Sequence, residues 1–235
     1  MPVEFSRIAV VVPAAGAGRR FGAERPKQYS TVAGKAVLDY TLEVLLACGP
    51  AEIVLVVAPA DERWRGLDGA HAVRVVSGGA SRSASVLAGL ESVTAEWAMV
   101  HDAARPCVRP EQIRQLARDV DEVAGGLLAV PMSDTVKRAE GRRVSATVDR
   151  TNLWCAQTPQ LFPTGTLIRA LRGARDVTDE SSAIEALGLA PQLVAGSPDN
   201  IKVTVPDDIA LCADILARQG RTAQGGTGAR TGASS

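Results

Sequence analysis

Apolar residues along this chain fall in short unbroken runs, and between the runs they recur every three or four positions. The runs predict strands at Ile8–Pro13, Ile53–Ala58, Val73–Ser77, Trp97–His101 and Gly126–Val130. The recurring pattern predicts helices at Ala36–Cys48, Ser83–Ser92 and Pro110–Val123. Leu38, Leu42, Leu45 and Leu46 share one helical face, as do Val86, Leu87 and Leu90. Pro110 suits a first helical turn, where its missing N–H has no partner to lose. Apolar strands alternating with amphipathic helices imply an α/β fold, a mainly parallel sheet flanked by helices on both faces. In such sheets ligands gather at the carboxyl ends of the strands, so the loops after each strand matter most.

The alternation breaks at about 133–157. Val136–Ala139 and Val144–Val148 read as two short strands about a turn at Glu140-Gly141-Arg142-Arg143, with too few apolar residues for a core of their own. A projecting hairpin needs a cover, often a second subunit. Beyond it the pattern predicts helices at Thr166–Arg172 and Ser181–Leu187, strands at Gln192–Val194 and Ile201–Val205, and a final helix from about Pro206 to Ala217. Residues 1–217 are therefore expected to form one domain. Residues 218–235, rich in Gly, Thr, Ala and Ser without apolar period, are expected to be a disordered tail.

Composition narrows the function classes. The chain has 235 residues, 46% hydrophobic and 22% charged, which suits one soluble domain with a sizeable core. Twenty-six Lys and Arg balance 26 Asp and Glu, which disfavours a general nucleic-acid or anionic-membrane binder. No apolar run approaches the roughly 18 residues of a membrane span, and no signal peptide is expected. Cys48, Cys107, Cys155 and Cys212 are scattered without Cys-x-x-Cys spacing, so neither a zinc site nor a disulfide framework is expected. Reduced thiols in a cytoplasmic protein are the simplest reading. His71 and His101 are too few for a histidine-rich metal site, and His101 reads as structural rather than as a base.

The candidate chemistry lies in three loops. The first strand ends in Pro13-Ala14-Ala15-Gly16-Ala17-Gly18-Arg19-Arg20, followed by Pro26-Lys27-Gln28-Tyr29. Tiny side chains let an anion lie against backbone N–H groups, and Arg20 and Lys27 add charge that can be aimed at a polyphosphate. A P-loop is excluded because Gly34-Lys35 is followed by Ala36, and a dinucleotide fingerprint because Phe21 stands where its third glycine belongs. In Ser77-Gly78-Gly79-Ala80-Ser81-Arg82-Ser83-Ala84-Ser85, two glycines, hydroxyls and one guanidinium open a helix. This suits a base edge or ribose beside phosphates, or else an ordinary Ser-rich cap. In His101-Asp102-Ala103-Ala104-Arg105-Pro106, Asp102 at a strand end is a candidate Mg²⁺ ligand or a turn cap, and Arg105 either binds phosphate or pairs with Asp102. Asp134-Thr135, Arg150, Thr178 and Lys202 are further candidates that spacing alone does not bring together.

Taken in order, these strings resemble one family, the 2-C-methyl-D-erythritol 4-phosphate cytidylyltransferases. The resemblance rests on Pro-Ala-Ala-Gly-x-Gly-Arg-Arg at 13–20, Pro-Lys-Gln-Tyr at 26–29, Gly-Gly-x-x-Arg-x-x-Ser-Val at 78–86 and Val-His-Asp-Ala-Ala-Arg-Pro at 100–106. Asp-Thr-x-Lys at 134–137, Val-Asp-Arg at 148–150, Thr-Pro-Gln at 158–160, Thr-Asp-Glu at 178–180 and Asp-Asn-Ile-Lys-Val-Thr at 199–204 complete it. It implies a Rossmann-like, nucleotidyltransferase-type sheet with the hairpin as a dimerisation arm, and transfer of CMP from CTP to methylerythritol phosphate in non-mevalonate isoprenoid synthesis, with Mg²⁺. By the family's pattern Arg20 and Lys27 would stabilise the transition state. Arg150, from a partner's arm, and Lys202 would hold the acceptor phosphate. Asp102, Arg105, Thr135 and Thr178 would hold other acceptor groups, with Asp102 near the metal. Ala14, Ala15, Gly16, Gly79 and Ser85 would bind CTP, and Arg82 and Ala103 complete the substrate-binding set. Ala80 and Ser81 depart from the acidic residues often found there. The fused second domain of bifunctional relatives is not expected. The nearest rivals are a cytidylyltransferase for another polyol phosphate, such as ribitol 5-phosphate, and a non-catalytic nucleotide-binding module.

Overall fold

A seven-stranded sheet runs through the computed structural model, which describes residues 2–16, 26–173 and 177–222. Its strands are β1 (Ile8–Pro13), β4 (Glu52–Val57), β5 (Arg74–Ser77), β6 (Trp97–Val100), β7 (Gly126–Pro131), β10 (Trp154–Pro163) and β11 (Gln192–Ala195), in the spatial order β11-β7-β10-β6-β1-β4-β5. β1 pairs in parallel with β4 and β6, β4 with β5, and β11 with β7, whereas β10 runs antiparallel between β6 and β7. The expected mainly parallel sheet is therefore present, with one reversed strand near its middle.

Alternate residues of the central strands serve opposite faces. Val10, Val12, Leu55 and Met99 pack with Leu38, Leu42 and Leu45 of α1 (Val37–Leu46) and Ile113 and Leu116 of α3 (Pro110–Asp119). Val11, Val54, Val56 and Val100 pack with Val86 and Leu90 of α2 (Arg82–Glu91), Leu167 of α4 (Thr164–Gly173) and Ile184 of α5 (Glu180–Glu185). Each such buried side chain contributes roughly 1.5–3 kcal/mol relative to exposure, which is why the strands carry no polar side. A third cluster joins Val37 and Tyr40 of α1 to Val203 and to Cys212, Ile215 and Leu216 of α6 (Asp208–Arg218).

Several boundaries differ from the sequence expectation. β10 was not expected: Pro159 and the polar Gln157, Thr158 and Gln160 interrupt its pattern. The ladder to β7 shifts register between Ala156 and Gln160, and that irregularity is where a central strand tolerates a proline. Ile201–Val205 is not a strand. It passes beside the loop after β6 as irregular chain, with Val203 N donating to Ala104 O at 2.8 Å, and the Asp208 carboxylate then takes the N–H groups of Thr204 and Val205. α3 ends at Asp119 because Asp121 Oδ1 takes the N–H groups of Val123 and Ala124 and turns the chain. A two-stranded hairpin of β2 (Thr31–Val32) and β3 (Lys35–Ala36), turning at Ala33 and Gly34 with φ of 48° and 83°, also went unpredicted.

The second hairpin, β8 (Val136–Glu140) with β9 (Arg143–Val148), forms where expected, and its side chains are largely exposed. The expected arm to 157 is too long, because its last residues are already β10: Trp154 pairs with Pro131 and Cys155 with Val130. The packed chain also runs past the expected limit of 217. α6 ends at Arg218, and Arg221 donates to Tyr40 O at 2.6 Å and Pro106 O at 2.7 Å. Residues 223–235 of the expected tail lie outside the described residues.

Candidate active site

The carboxyl ends of β1, β5 and β6 open into one cavity of about 620 Å³, with the segment after β11 along its rim. From β1 come Ala14, Ala15 and Gly16, and beneath them the turn Lys27–Tyr29 supplies Lys27 and Gln28. Gln28 is buried and donates through Nε2 to Ala14 O at 2.7 Å and Gly16 O at 3.3 Å, which fixes the turn carrying Lys27 to the loop. Small residues keep the wall free of side chains, so a ligand can reach backbone groups.

The loop after β5 brings Gly79, Ala80, Ser81, Arg82 and Ser85. Its glycines have steric causes. A Cβ on Gly78 would stand 2.7 Å from Ala15 Cβ, and one on Gly79 would stand 2.6 Å from Ala84 Cβ. Ser81 is both cavity wall and helix cap, taking the Ala84 N–H at 3.1 Å, so the capping and ligand-binding readings describe the same residue.

The loop after β6 holds the charge cluster. Asp102 Oδ1 accepts from Arg82 Nη2 at 3.1 Å and Nε at 3.3 Å, while Oδ2 accepts from Lys202 Nζ at 2.8 Å and lies 3.5 Å from Arg105 Nε. Burial works against a charged Asp102, but the cations of Arg82, Lys202 and Arg105 outweigh it and hold the carboxyl well below the usual range. Burial likewise opposes the Arg82 charge, yet Glu180 and Asp102 more than offset it and keep the guanidinium protonated. Arg105 both pairs with Asp102 and anchors the rim, Nη1 donating to Asn200 O at 2.6 Å.

His101 is fully buried and structural, as expected. Nε2–H donates to Arg105 O at 3.1 Å, the Thr158 hydroxyl donates to Nδ1 at 3.1 Å, and Thr158 Oγ1 accepts the Asp102 N–H at 3.0 Å. The tautomer follows from the carbonyl, which only accepts. Burial holds His101 neutral, its pKa lowered to about 4.

Of the residues singled out in the sequence, Ala14, Ala15, Gly16, Lys27, Gly79, Arg82, Ser85, Asp102, Ala103 and Lys202 line this cavity, and Arg105 stands behind Asp102. Arg20 lies outside the described residues. Thr135 and Arg150 are exposed at the base of the β8–β9 hairpin and do not line the cavity of their own chain, and Arg150 donates to Ser133 O. Thr178 is exposed beside a small separate cleft that it shares with Arg82 and Glu180. Sequence reasoning missed Gln28, Ala104, Thr204, Thr158 and Glu180. All five lay inside a quoted string without being assigned work.

Asp102 does not fit the role of resident metal ligand. Both its oxygens are engaged by cations, and no other acidic side chain lines the cavity among the described residues. Among the described residues no group of three or more His, Cys, Asp or Glu is placed to hold a metal ion.

The model of the 2-C-methyl-D-erythritol 4-phosphate cytidylyltransferase family matches residues 8–218, which takes in every loop of the cavity. The chain belongs to that family. A cytidylyltransferase of that name from an Azoarcus species is 51% identical over 220 residues, 88% of this chain and 92% of the relative. One from Klebsiella pneumoniae is 45% identical over 229 residues, 93% of this chain and 97% of the relative. Among solved structures, a 4-diphosphocytidyl-2C-methyl-D-erythritol synthase superposes with a TM-score of 0.80 at 38% identity, covering 89% of this chain and 98% of its own. The Francisella tularensis cytidylyltransferase does so with 0.71 at 33% identity, covering 89% and 99%. Across these cytidylyltransferases the mainly parallel sheet and flanking helices are shared.

Proposed function

We propose that this cytidylyltransferase transfers CMP from CTP to 2-C-methyl-D-erythritol 4-phosphate, releasing pyrophosphate, as a step of isoprenoid precursor synthesis. The observation that carries the reading is the convergence of separate loops on one cavity, backbone-lined at Ala14–Gly16 and cationic at Lys27, Arg82 and Lys202, in a chain whose family match spans all of them. An oxygen of the acceptor phosphate attacks the α-phosphorus of CTP. The new P–O bond forms as the bond to the bridging α–β oxygen breaks, and pyrophosphate leaves with that electron pair. No covalent enzyme intermediate is needed, so the protein's work is positioning and neutralising two anions.

Lys27 and Arg20 are assigned to the charge that develops on the α-phosphoryl group. Ala14, Ala15, Gly16, Gly79 and Ser85 are assigned to CTP, with Arg82 and Ala103 completing the lining. Asp102 takes an acceptor hydroxyl, Lys202 the acceptor phosphate, and Arg105 and Thr178 support that side. Mg²⁺ belongs to the reaction as part of the CTP complex, offsetting triphosphate charge, since among the described residues no group of three or more His, Cys, Asp or Glu is placed to hold it. Thr135 and Arg150 reach an acceptor only from a second copy, so the reading includes a homodimer joined through the arm. Exposed Val144, Leu153 and Trp154 on and beside the arm support it. Among the described residues no helix is long and apolar enough to cross a membrane. A cytoplasmic site of action fits the four cysteines, which are all free thiols.

The test is pyrophosphate release from purified protein with CTP and Mg²⁺, comparing methylerythritol phosphate with ribitol 5-phosphate. Release with the first alone is the expected result. Release with the second alone moves the acceptor assignment and keeps the CTP site. Silence with both, in protein shown to bind CTP, removes the catalytic reading.

A further inference from the structure

Glu180 is the first residue of α5, 1% exposed, and it does not line the cavity. It grips Arg82 with both oxygens, Nη1 to Oε1 at 2.6 Å and Nη2 to Oε2 at 3.1 Å. The other edge of the same guanidinium, Nε and Nη2, holds Asp102 Oδ1. One arginine thus bridges a carboxylate outside the cavity and one that lines it. Burying such a pair is a poor device for stability, since apolar replacements of similar volume often serve as well. Its geometric effect is specific. An arginine left alone beside a carboxylate closes on it as a two-pronged fork and takes both oxygens. Glu180 fixes the guanidinium by its Nη1–Nη2 edge, so that the Nε–Nη2 edge meets Oδ1 alone and Oδ2 is left to Lys202 and Arg105 on the cavity side. Glu180 itself sits on a fixed base. Asp179 caps α5 by accepting the Ser182 N–H at 3.0 Å, and Ala183 and Ile184 anchor the helix in the core.

We infer that Glu180 is a positioning residue for the acceptor, acting through Arg82 to set which oxygen of Asp102 meets the acceptor hydroxyl. The inference rests on the reading of Asp102 as an acceptor-binding residue. In Glu180→Gln the charge goes and the amide accepts through Oε1 alone, its N–H₂ facing a donor, so the two-pronged grip is broken and Arg82 is released to close on Asp102. The KM for methylerythritol phosphate should then rise roughly tenfold, the scale of one charge-assisted hydrogen bond, with the KM for CTP within about twofold of wild type. Glu180→Asp, which keeps the charge, should recover part of the loss. In an Arg82→Gln background, where two amides can pair, Glu180→Gln should add no further rise. An unchanged acceptor KM in Glu180→Gln, equal rises for both substrates, or a full additional rise in the Arg82→Gln background would each overturn the inference. Should Glu180→Gln fail to fold, Glu180→Asp and the Arg82→Gln/Glu180→Gln pair decide it by the same readout. Asp102→Asn separates the two levels. If it leaves the acceptor KM unchanged, the reading of Asp102 falls. If it raises that KM while Glu180→Gln does not, only the role of Glu180 falls.

Discussion

Lys27 enters the cavity from a short turn that Gln28 ties to the β1 loop, so its ammonium is carried on a fixed base rather than a loose strand. Lys27→Ala should lower turnover by roughly 100-fold or more at saturating CTP, the scale for losing one contact to transition-state charge, and pyrophosphate release measures it. His101 gives a prediction about stability. Its folded pKa, lowered from 6.5 to about 4 by burial, lies below the unfolded value. Above pH 6.5 both states carry neutral imidazole and the group contributes nothing to the pH dependence. Below it the unfolded chain takes a proton that the folded chain refuses. Stability should therefore fall as pH drops from 6.5 toward about 4, by up to about 1.4 kcal/mol per pH unit. Urea unfolding across that range should show a shallower slope for His101→Asn than for wild type. At this scale the sequence was legible where a residue's chemistry announces itself, as with Lys27 and Asp102. It was silent on Glu180, whose meaning depends on an arginine 98 positions away.

The elements show why some structure could be read and some could not. β1, β4 and β6 were legible because strands buried on both faces carry unbroken apolar runs. β10 was not, because half of it does polar work: Thr158 serves His101 and Asp102, and Gln157 donates to Ser197 O at 2.8 Å. Ile201–Val205 misled in the opposite way, since Val203 is buried against α6 rather than in the sheet. In the β5–α2 loop, a methyl at Gly79 would drive into the first turn of α2. Gly79→Ala should lower stability by about 1–3 kcal/mol by thermal unfolding and raise the KM for CTP while leaving that for the acceptor near wild type. The arm carries its own test. Arg150→Ala should weaken acceptor use and spare CTP binding. Mixed with Arg20→Ala, it should recover up to about half of wild-type turnover per mixed dimer, since one of two shared sites is then intact. No recovery in verified mixed dimers counts against a shared site.

At the scale of the molecule, the α/β class and the site at the carboxyl edge were legible because alternation and edge-binding are properties of the whole pattern. The packing beyond residue 217 was not, since a single arginine past the last apolar repeat carries it. Arg221 satisfies Tyr40 O and Pro106 O from beyond α6. Arg221→Ala strands those carbonyls and should cost about 1–3 kcal/mol, read as a drop of several degrees in Tm.

Both legs of the arm leave the sheet side by side. Pro131 ends β7, Trp154 begins β10, the two are paired, and Met132 N donates to Leu153 O at 2.9 Å. The arm is thus a jib on a clamped mast. β10 cannot slide without shearing its ladders to β6 and β7, so whatever swing the jib has lies outboard of that clamp. At about 3.3 Å per residue, the six residues of β9 give it a reach of roughly 20 Å. Thr135 and Arg150 ride near the clamp and Gly141 at the tip. A second body must therefore come close to the mast to meet the first two, whatever the tip grasps farther out.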